Sequence, residues 1–453
     1  MEIAKEVLQI AEILKQNNYK AYLVGGCLRD LLLKTRPKDW DITTDARPER
    51  LLELFPDSVY ENQFGTVGVK TTATDLTLKI IEVTTFRTEG TYTDKRHPDE
   101  VVFADRIEDD LARRDFTVNA LALNLIEDES IVDPFDGQKD LKKNLLRAVG
   151  NPTKRFNEDA LRLMRAVRFY SQLGFDIEAD TLAAIQKEAG LLEFVSKERV
   201  RDELCKLVMT SRATEGIEMM RESGLLKYIL PELLDGVGCE QNQHHIYDVY
   251  AHNLKSFEYS VKKDASLTVR LASLLHDVGK PATRAWKDTP TGKKTKNGKA
   301  GDWTFYGHQV VGARIASQML ERLHFSKDII EDVYLLVYEH MFVYDPEVVT
   351  LAGVRRLLAR VGSDHIDDLI KVREADRIGS GVPKAQPYRL RYLLAMLEKV
   401  KTDPISAKML KINGNDIMKS LNTAPGPILG KIIAVLLEDV LADPVRNEKA
   451  WLL

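Results

Sequence analysis

Two aspartates, Asp39 and Asp41, stand two residues apart in "KDWDITT" (38–44). On a β-strand, where side chains alternate, both carboxylates would leave the same face. Like charges held that close repel, and one proton affinity rises unless a cation sits between them. Mg²⁺ meets that need, since it is commonly held by one or two carboxylates together with substrate phosphates. Upstream, "LVGGCLRD" sets Gly25 and Gly26 between an apolar run and a helical pattern. Without Cβ atoms, their N–H groups can approach a phosphate closely, and a helix start favours an anion. Arg29, one turn further on, can add a charged donor. In "DDLARRDFTVNAL" (109–121), Arg113, Arg114 and Asp115 precede an alternating stretch, and one arginine there can neutralise phosphate charge. Alone, a Gly-Gly or an Asp-x-Asp is most often a turn, and an arginine pair is often a solubility device. Their order and close spacing favour phosphate chemistry.

A second pattern suits base recognition. In "NEDALRLMRAVRF" (157–169), Asn157 is a capping-type residue, and Asp159 and Arg162 are three apart, hence on one face of a helix. An intrahelical ion pair is the plain alternative. Cytosine N4 and adenine N6 are both amino donors, which a carboxylate accepts, while arginine donates to the ring acceptors beside them. Guanine and uracil present a carbonyl at that place and would leave buried polar groups unpaired.

A third pattern is metal-like. Seven of the nine histidines lie between residues 244 and 340. His252, the adjacent pair His276-Asp277, His308 and His340 fall on helical stretches, and Asp376 follows in "READRIG". A lone helical histidine is usually satisfied or exposed. An adjacent His-Asp after an apolar run is more specific. Imidazole with carboxylate suits a divalent transition metal such as Mn²⁺, Ni²⁺, Co²⁺, Zn²⁺ or Fe²⁺.

The elements that must position these groups follow from periodicity. Strand-like runs at 21–24, 41–43, 66–71, 76–84 and 120–125, with helical patterns at 3–17, 28–33 and 48–55, predict an α+β head. From about Pro152 onward the apolar spacing is helical. The polar stretches 88–110 and 289–302 are expected as exposed loops. With 453 residues the chain exceeds one ordinary core. Its three scattered cysteines argue for a reducing, cytoplasmic setting and against a disulfide framework. No secretory pattern and no apolar run of membrane-spanning length is expected, so no membrane partner. The net charge of −4 means that any nucleic-acid binding must use local basic surfaces.

The motifs "LVGGCLRD", "DWDI", "RRDFTVNA" and "EDALRLMRAVRF", with the terminal "INGNDIMKSLNTAPGPILGKIIAVLLEDV", together resemble the class II tRNA nucleotidyltransferases, the family of CCA-adding enzymes and poly(A) polymerases. The resemblance implies an α+β chain with a polymerase-β-like nucleotidyltransferase head (1–150), an all-α neck with a base-recognition helix (151–230), an HD phosphohydrolase body (231–395) and a helical tail (396–453). It implies addition of C, C and A to the 3′ end of tRNA from CTP and ATP without a nucleic-acid template. Asp39 and Asp41 match the catalytic Mg²⁺ carboxylates. Gly25, Gly26, Arg29, Arg114, Asp115, Asn119, Asp159, Arg162 and Arg165 match nucleotide-binding positions, with Glu158 in support. Glu82 is a candidate third acid, although a half-exposed strand glutamate without a role is the commoner case. The loop 88–110 corresponds to one that helps the family switch from C to A. His252, His276, Asp277 and Asp376 match primary HD metal ligands, and His308 and His340 match positions that complete a second metal or bind phosphate. The expected substrates of that domain are phosphate mono- or diesters such as 2′,3′-cyclic phosphates. Two alternatives stand beside this: an A-adding or poly(A)-type polymerase on the same scaffold, and an RNA-binding sensor with only the HD site active. The oligomeric state has no signature in the sequence.

Overall fold

A computed structural model describes residues 2–62, 65–89, 101–241, 246–288, 301–381 and 385–453. The chain forms two compact units, Met1–Ile229 and Leu230–Leu453.

The first unit is built on a seven-stranded sheet. Its order is Ser58–Asn62, Thr66–Lys70, Ile80–Thr85, Asp41–Thr44, Tyr22–Val24, Ala122–Asn124, Ile131–Val132. Alternation decides the faces: in Ile80–Thr85, Ile81, Val83 and Thr85 are buried while Ile80 and Glu82 are exposed. Asp41–Thr44 runs parallel to that strand, with Asp41 opposite Glu82. The expected strand over 76–84 is shorter than predicted. Asp75 caps a 3₁₀ turn at Leu76–Leu78, and the strand begins only at Ile80. Asp39 also departs from expectation, because it precedes the strand, which starts at Asp41. Helix Gly25–Leu32 starts earlier than its apolar pattern, since Gly25 at φ +71° turns the chain directly from strand into helix.

The helices after the sheet include Pro152–Glu158, Leu161–Leu173 and Lys197–Val208. The continuous helix expected over 157–169 is broken. Asp159 is extended (φ −139°, ψ 104°), and a new helix begins at Leu161. The cap is Asn151, whose side chain accepts from the Lys154 N–H, whereas Asn157 lies inside the first helix and donates to the Thr153 carbonyl.

Among its described residues, the second unit is helical apart from one antiparallel ribbon, Ala285–Asp288 with Gly301–Thr304. Glycines allow its helices to touch. A Cβ on Gly379 would lie 2.1 Å from Ser256 Oγ and 3.0 Å from the His252 carbonyl, so helices Val249–Lys262 and Ile366–Gly379 meet backbone to backbone. A Cβ on Gly279 would lie 2.3 Å from the His308 carbonyl and 2.4 Å from the Gly312 nitrogen. The segment after Asp277 is thereby seated against helix His308–Arg322. Leu410, Ile412, Ile417, Val440 and Leu452 form a separate small core near the C-terminus. Of the two expected loops, 90–100 and 289–300 lie outside the described residues. Val101–Phe103 and Gly301–Thr304 are strands instead, and Ile107–Ala112 is a helix.

Candidate functional site

Within the first unit, a cleft of about 940 Å³ gathers Gly25, Gly26, Arg29, Asp39, Asp41, Arg114, Asp115, Asn119, Asp159, Arg162 and Arg165. Every residue of the first unit singled out by sequence for metal or nucleotide binding, apart from the supporting Glu158 and the candidate Glu82, therefore lines one space. The glycine pair faces the aspartate pair: a Cβ on Gly25 would lie 2.9 Å from Arg114 Nη1 and 3.4 Å from Asp41 Oδ2, and one on Gly26 would lie 4.0 Å from Asp39 Oδ1. Glu82 sits on the same sheet face as Asp41 through the parallel register. Burial pushes the Asp41 carboxyl up, Glu82 and Asp39 push it further, and Arg114 only partly opposes them, leaving it at about 7. This crowding of incompletely compensated carboxylates is a donor set that fits a hard divalent cation.

Behind them runs a buried network. Arg29 donates to Asn119 Oδ1 (2.8 Å), Asn119 donates to Asp115 Oδ1 (3.1 Å), and Arg165 Nε donates to Asp115 Oδ2 (2.8 Å). Burial would raise the Asp115 carboxyl, but Arg165, Asn119 and Arg162 outweigh it and hold it at about 2. Arg29 also donates to Asp30, so much of its guanidinium is already engaged. Arg114 reaches Asp110 at 3.2 Å.

The base-recognition pair is arranged differently from a shared helical face. Arg162 donates to Glu158 Oε2 (2.8 Å) and to the Arg113 carbonyl (2.9 Å). Asp159 instead pairs with Arg199 Nη2 at 2.8 Å, and its other oxygen accepts from the Leu161 N–H. Sequence reasoning missed Arg199, which lies in an ordinary amphipathic helix, Lys197–Val208, with no local signal. It also missed Phe169, whose ring has the Arg29, Arg165 and Arg168 guanidinium carbons 5.3, 5.3 and 4.0 Å from its centroid.

In the second unit His252, His276, Asp277, His308, His340 and Asp376 converge, all buried. His252, His276 and Asp277 form one group, and Asp277, His308 and His340 another, each with donor atoms within 4.8 Å. Asp376 Oδ1 is 3.3 Å from His252 Nε2. Three imidazoles are oriented by backbone carbonyls: Nδ1 of His276, His308 and His340 lies 3.0, 2.7 and 2.6 Å from the carbonyls of Ser273, Phe305 and Val337. A carbonyl can only accept, so each Nδ1 carries a proton, and a ring that is neutral, as a metal ligand must be, presents its Nε2 lone pair to the centre. His308 and His340 thus aim Nε2 lone pairs at each other across 3.4 Å. Converging lone pairs and carboxylates fit a divalent cation. From the side chains alone, burial lowers both His276 and His340. Asp277 and Asp376 overcome this for His276, lifting it to about 10, while His340 stays at about 3. Burial would raise Asp277, but Lys280 and His276 keep it well below the usual carboxylate range. Lys280, one turn after Asp277 in "HDVGK", was also missed; its Nζ is 2.5 Å from Asp277 Oδ2 and donates to Gln241.

A nucleotidyltransferase-type head joined to a helical unit bearing an HD cluster defines the class of tRNA nucleotidyltransferases. Family models agree along the chain: the poly A polymerase head domain matches residues 21–147, the probable RNA and SrmB-binding site of polymerase A 174–236, the HD domain 244–380, and tRNA nucleotidyltransferase domain 2 364–453. The CCA-adding enzyme of Ligilactobacillus salivarius is 33% identical over 451 residues, 99% of this chain and 95% of that one. The A-adding tRNA nucleotidyltransferase of Deinococcus radiodurans is 34% identical over 429 residues, 92% and 91%. The crystal structure of the Bacillus stearothermophilus CCA-adding enzyme in complex with CTP superposes with a TM-score of 0.69 at 28% identity, covering 99% and 96%. The chain belongs to the CCA-adding enzyme family of tRNA nucleotidyltransferases. Among the described residues, no helix is long and apolar enough to cross a membrane.

Proposed function

We propose that the first unit adds C, C and A to the 3′ end of tRNA from CTP and ATP. The observation that carries this reading is the convergence of the carboxylate pair, the glycine pair and an arginine-rich rim in one cleft. The name of the Ligilactobacillus relative and the CTP bound by the Bacillus enzyme favour full CCA addition over the A-only activity of the Deinococcus relative. The division into head, neck, HD body and tail at 1–150, 151–230, 231–395 and 396–453 is our reading, as is a cytoplasmic location, which the three free cysteines favour.

Asp39 and Asp41, with Glu82 as a candidate third acid, would hold Mg²⁺. A divalent ion bound there supplies Lewis acidity to the attacking hydroxyl and the leaving pyrophosphate. In the reaction the tRNA 3′ oxygen forms a bond to the α-phosphorus, and the bond between the α-phosphorus and the bridging oxygen breaks. Gly25 and Gly26 let the backbone approach the triphosphate, and Arg114 balances its charge. Asp159, held by Arg199, accepts from the amino group of cytosine or adenine, and Arg162 donates beside it. Arg29, Asn119, Asp115 and Arg165 keep that wall in place. The test is to incubate a tRNA lacking its 3′ end with CTP, ATP or both and sequence the products. CCA ends support the reading, A-only ends favour the alternative, and no extension leaves the sensor. Asp39→Ala or Asp41→Ala should abolish addition while tRNA binding persists.

The HD cluster is proposed as a metal-dependent phosphohydrolase for phosphate mono- or diesters. His252, His276, Asp277 and Asp376, with His308 and His340, would hold a divalent transition metal. Hydrolysis that requires Mn²⁺, Ni²⁺ or Co²⁺ and disappears in His276→Ala/Asp277→Ala supports it. Absence of both hydrolysis and bound metal in the wild type removes it.

A further inference from the structure

Two cavities of the second unit share a wall. The one over the metal cluster holds about 470 Å³ and has Tyr306, 75% exposed, on its rim. The other holds about 630 Å³ and lies between the segment 342–345 and the start of helix Tyr388–Val400, with Tyr388 66% exposed. Each volume is that of a small-ligand site.

Arg373 and Arg377 line both cavities. They are not equivalent. Arg373 is tied to the Asp376 carboxylate at 2.5 Å. Arg377 is half-buried and donates to the Tyr344 hydroxyl at 3.0 Å, and among the described residues no carboxylate pairs with it. A partly desolvated guanidinium without a counter-ion is a place for an anion brought from outside. Tyr344 is fixed from two sides, since Arg373 also reaches its hydroxyl at 3.4 Å and stacks 5.1 Å from its ring centroid. The second cavity thus has a cation at its inner wall and aromatic side chains around it. Arg389 at its edge is already matched by Asp345 at 2.8 Å, so among the described residues that line this cavity Arg377 is the cation left for a ligand.

An alternation of aromatic surface, cation and aromatic surface is how proteins follow a single nucleic-acid strand: bases stack on rings, and the phosphate between them meets the cation. We propose that the second cavity is a subsite for the nucleoside preceding the reacting one, so that the HD site is built for the phosphate-bearing end of an RNA strand rather than for a free nucleotide. The terminal phosphate meets the histidine cluster and its own base lies toward Tyr306. The internucleotide phosphate meets Arg377, and the preceding base stacks on Tyr388. The proposal rests on the phosphohydrolase reading of the cluster. In that reaction water adds oxygen to phosphorus, the ester P–O bond breaks, and the leaving ribose oxygen takes the proton.

The experiment compares a mononucleotide and a dinucleotide that carry the same 2′,3′-cyclic phosphate terminus. Hydrolysis and binding are both measured on the Mn²⁺-loaded full chain, with Tyr388→Ala and Arg377→Ala as variants. The dinucleotide should have a kcat/KM about tenfold above that of the mononucleotide, in line with one added base stack. Tyr388→Ala should erase that advantage while leaving mononucleotide hydrolysis unchanged, and Arg377→Ala should weaken the dinucleotide more than the mononucleotide. Equal treatment of the two substrates by the wild type, or an equal effect of Tyr388→Ala on both, overturns the proposal. If neither is hydrolysed, calorimetric binding decides. A dinucleotide preference that depends on Tyr388 keeps the subsite and removes only the phosphohydrolase reading, whereas equal affinity overturns the subsite. Dependence on Tyr388 also separates this binding from any at the head.

Discussion

The two glycines that precede the aspartates should fail differently when given a side chain. Gly25 has φ +71°, where an L-residue is strained, and its Cβ would lie 2.9 Å from Arg114 Nη1. The conformation alone costs roughly 1–2 kcal/mol, and Arg114 must also move. For a unit of this size that is a fall in melting temperature of about 2–8 °C. Gly26 has no such strain. Its Cβ would meet Arg29 Nη2 at 3.6 Å and Asp39 Oδ1 at 4.0 Å, both ordinary contacts. Gly26→Ala should therefore melt close to wild type. The added methyl would nevertheless stand between the helix start and Asp39, where the triphosphate is proposed to approach. Loss of one charge-assisted hydrogen bond, about 1.5–3 kcal/mol, lowers kcat/KM for CTP about 10- to 100-fold. The assays are scanning calorimetry and nucleotide addition to a tRNA lacking its 3′ end, with KM and kcat separated. Equal destabilisation by the two variants would refute the conformational reasoning. Wild-type kcat/KM in Gly26→Ala would refute the phosphate approach.

Arg199→Ala should release Asp159 and admit GTP or UTP more readily, with little change in tRNA affinity; product sequencing that still finds only C and A counts against the recognition role. Asp115→Asn should destabilise the first unit at pH 7 by on the order of 2 kcal/mol, the equivalent of moving a carboxyl from 3.8 to about 2. Because the folded value is depressed, that stability is complete above about pH 4 and is lost as pH falls toward about 2. Hydrogen exchange of wild type and variant should therefore converge on acidification, and a gap unchanged between pH 6 and pH 3 would contradict it. Gly279→Ala should force the His276-Asp277 segment away from helix His308–Arg322 at a cost of about 1–3 kcal/mol. Elemental analysis should then find less HD metal while nucleotide addition continues; full metal occupancy would show that the close backbone approach is not needed.

Local rules made some features legible and not others. Alternation over Ile80–Thr85 and helical apolar spacing over Leu161–Leu173 are written in neighbouring residues, so both elements could be read directly. Element ends were less legible. The strand expected from residue 76 loses its first turn to the Asp75 cap, and the helix expected through Asp159 is interrupted there. An extended residue between two good helix formers has no compositional mark. Asp39 and Asp41 line one cleft but do not lie on one strand, because converging on the glycines does not require both to be in the sheet.

The sequence by itself determined which chemistry was present: carboxylates two apart, a glycine pair at a helix start, arginines before a strand, and imidazoles with carboxylates in a helical unit. Side-chain type and local period carry that information without reference to the rest of the chain. Tertiary structure alone decided who meets whom. It set Glu82 across from Asp41, gave Asp159 to Arg199 instead of Arg162, and made Asp277 common to both histidine groups. Those contacts join residues far apart in the chain. In the second unit such contacts depend on backbones that come close at Gly279, Gly312 and Gly379, a distance no pattern of neighbours encodes. Arg377 shows the same division, since only packing reveals that a cation beside Asp376 has a tyrosine hydroxyl for company and, among the described residues, no carboxylate.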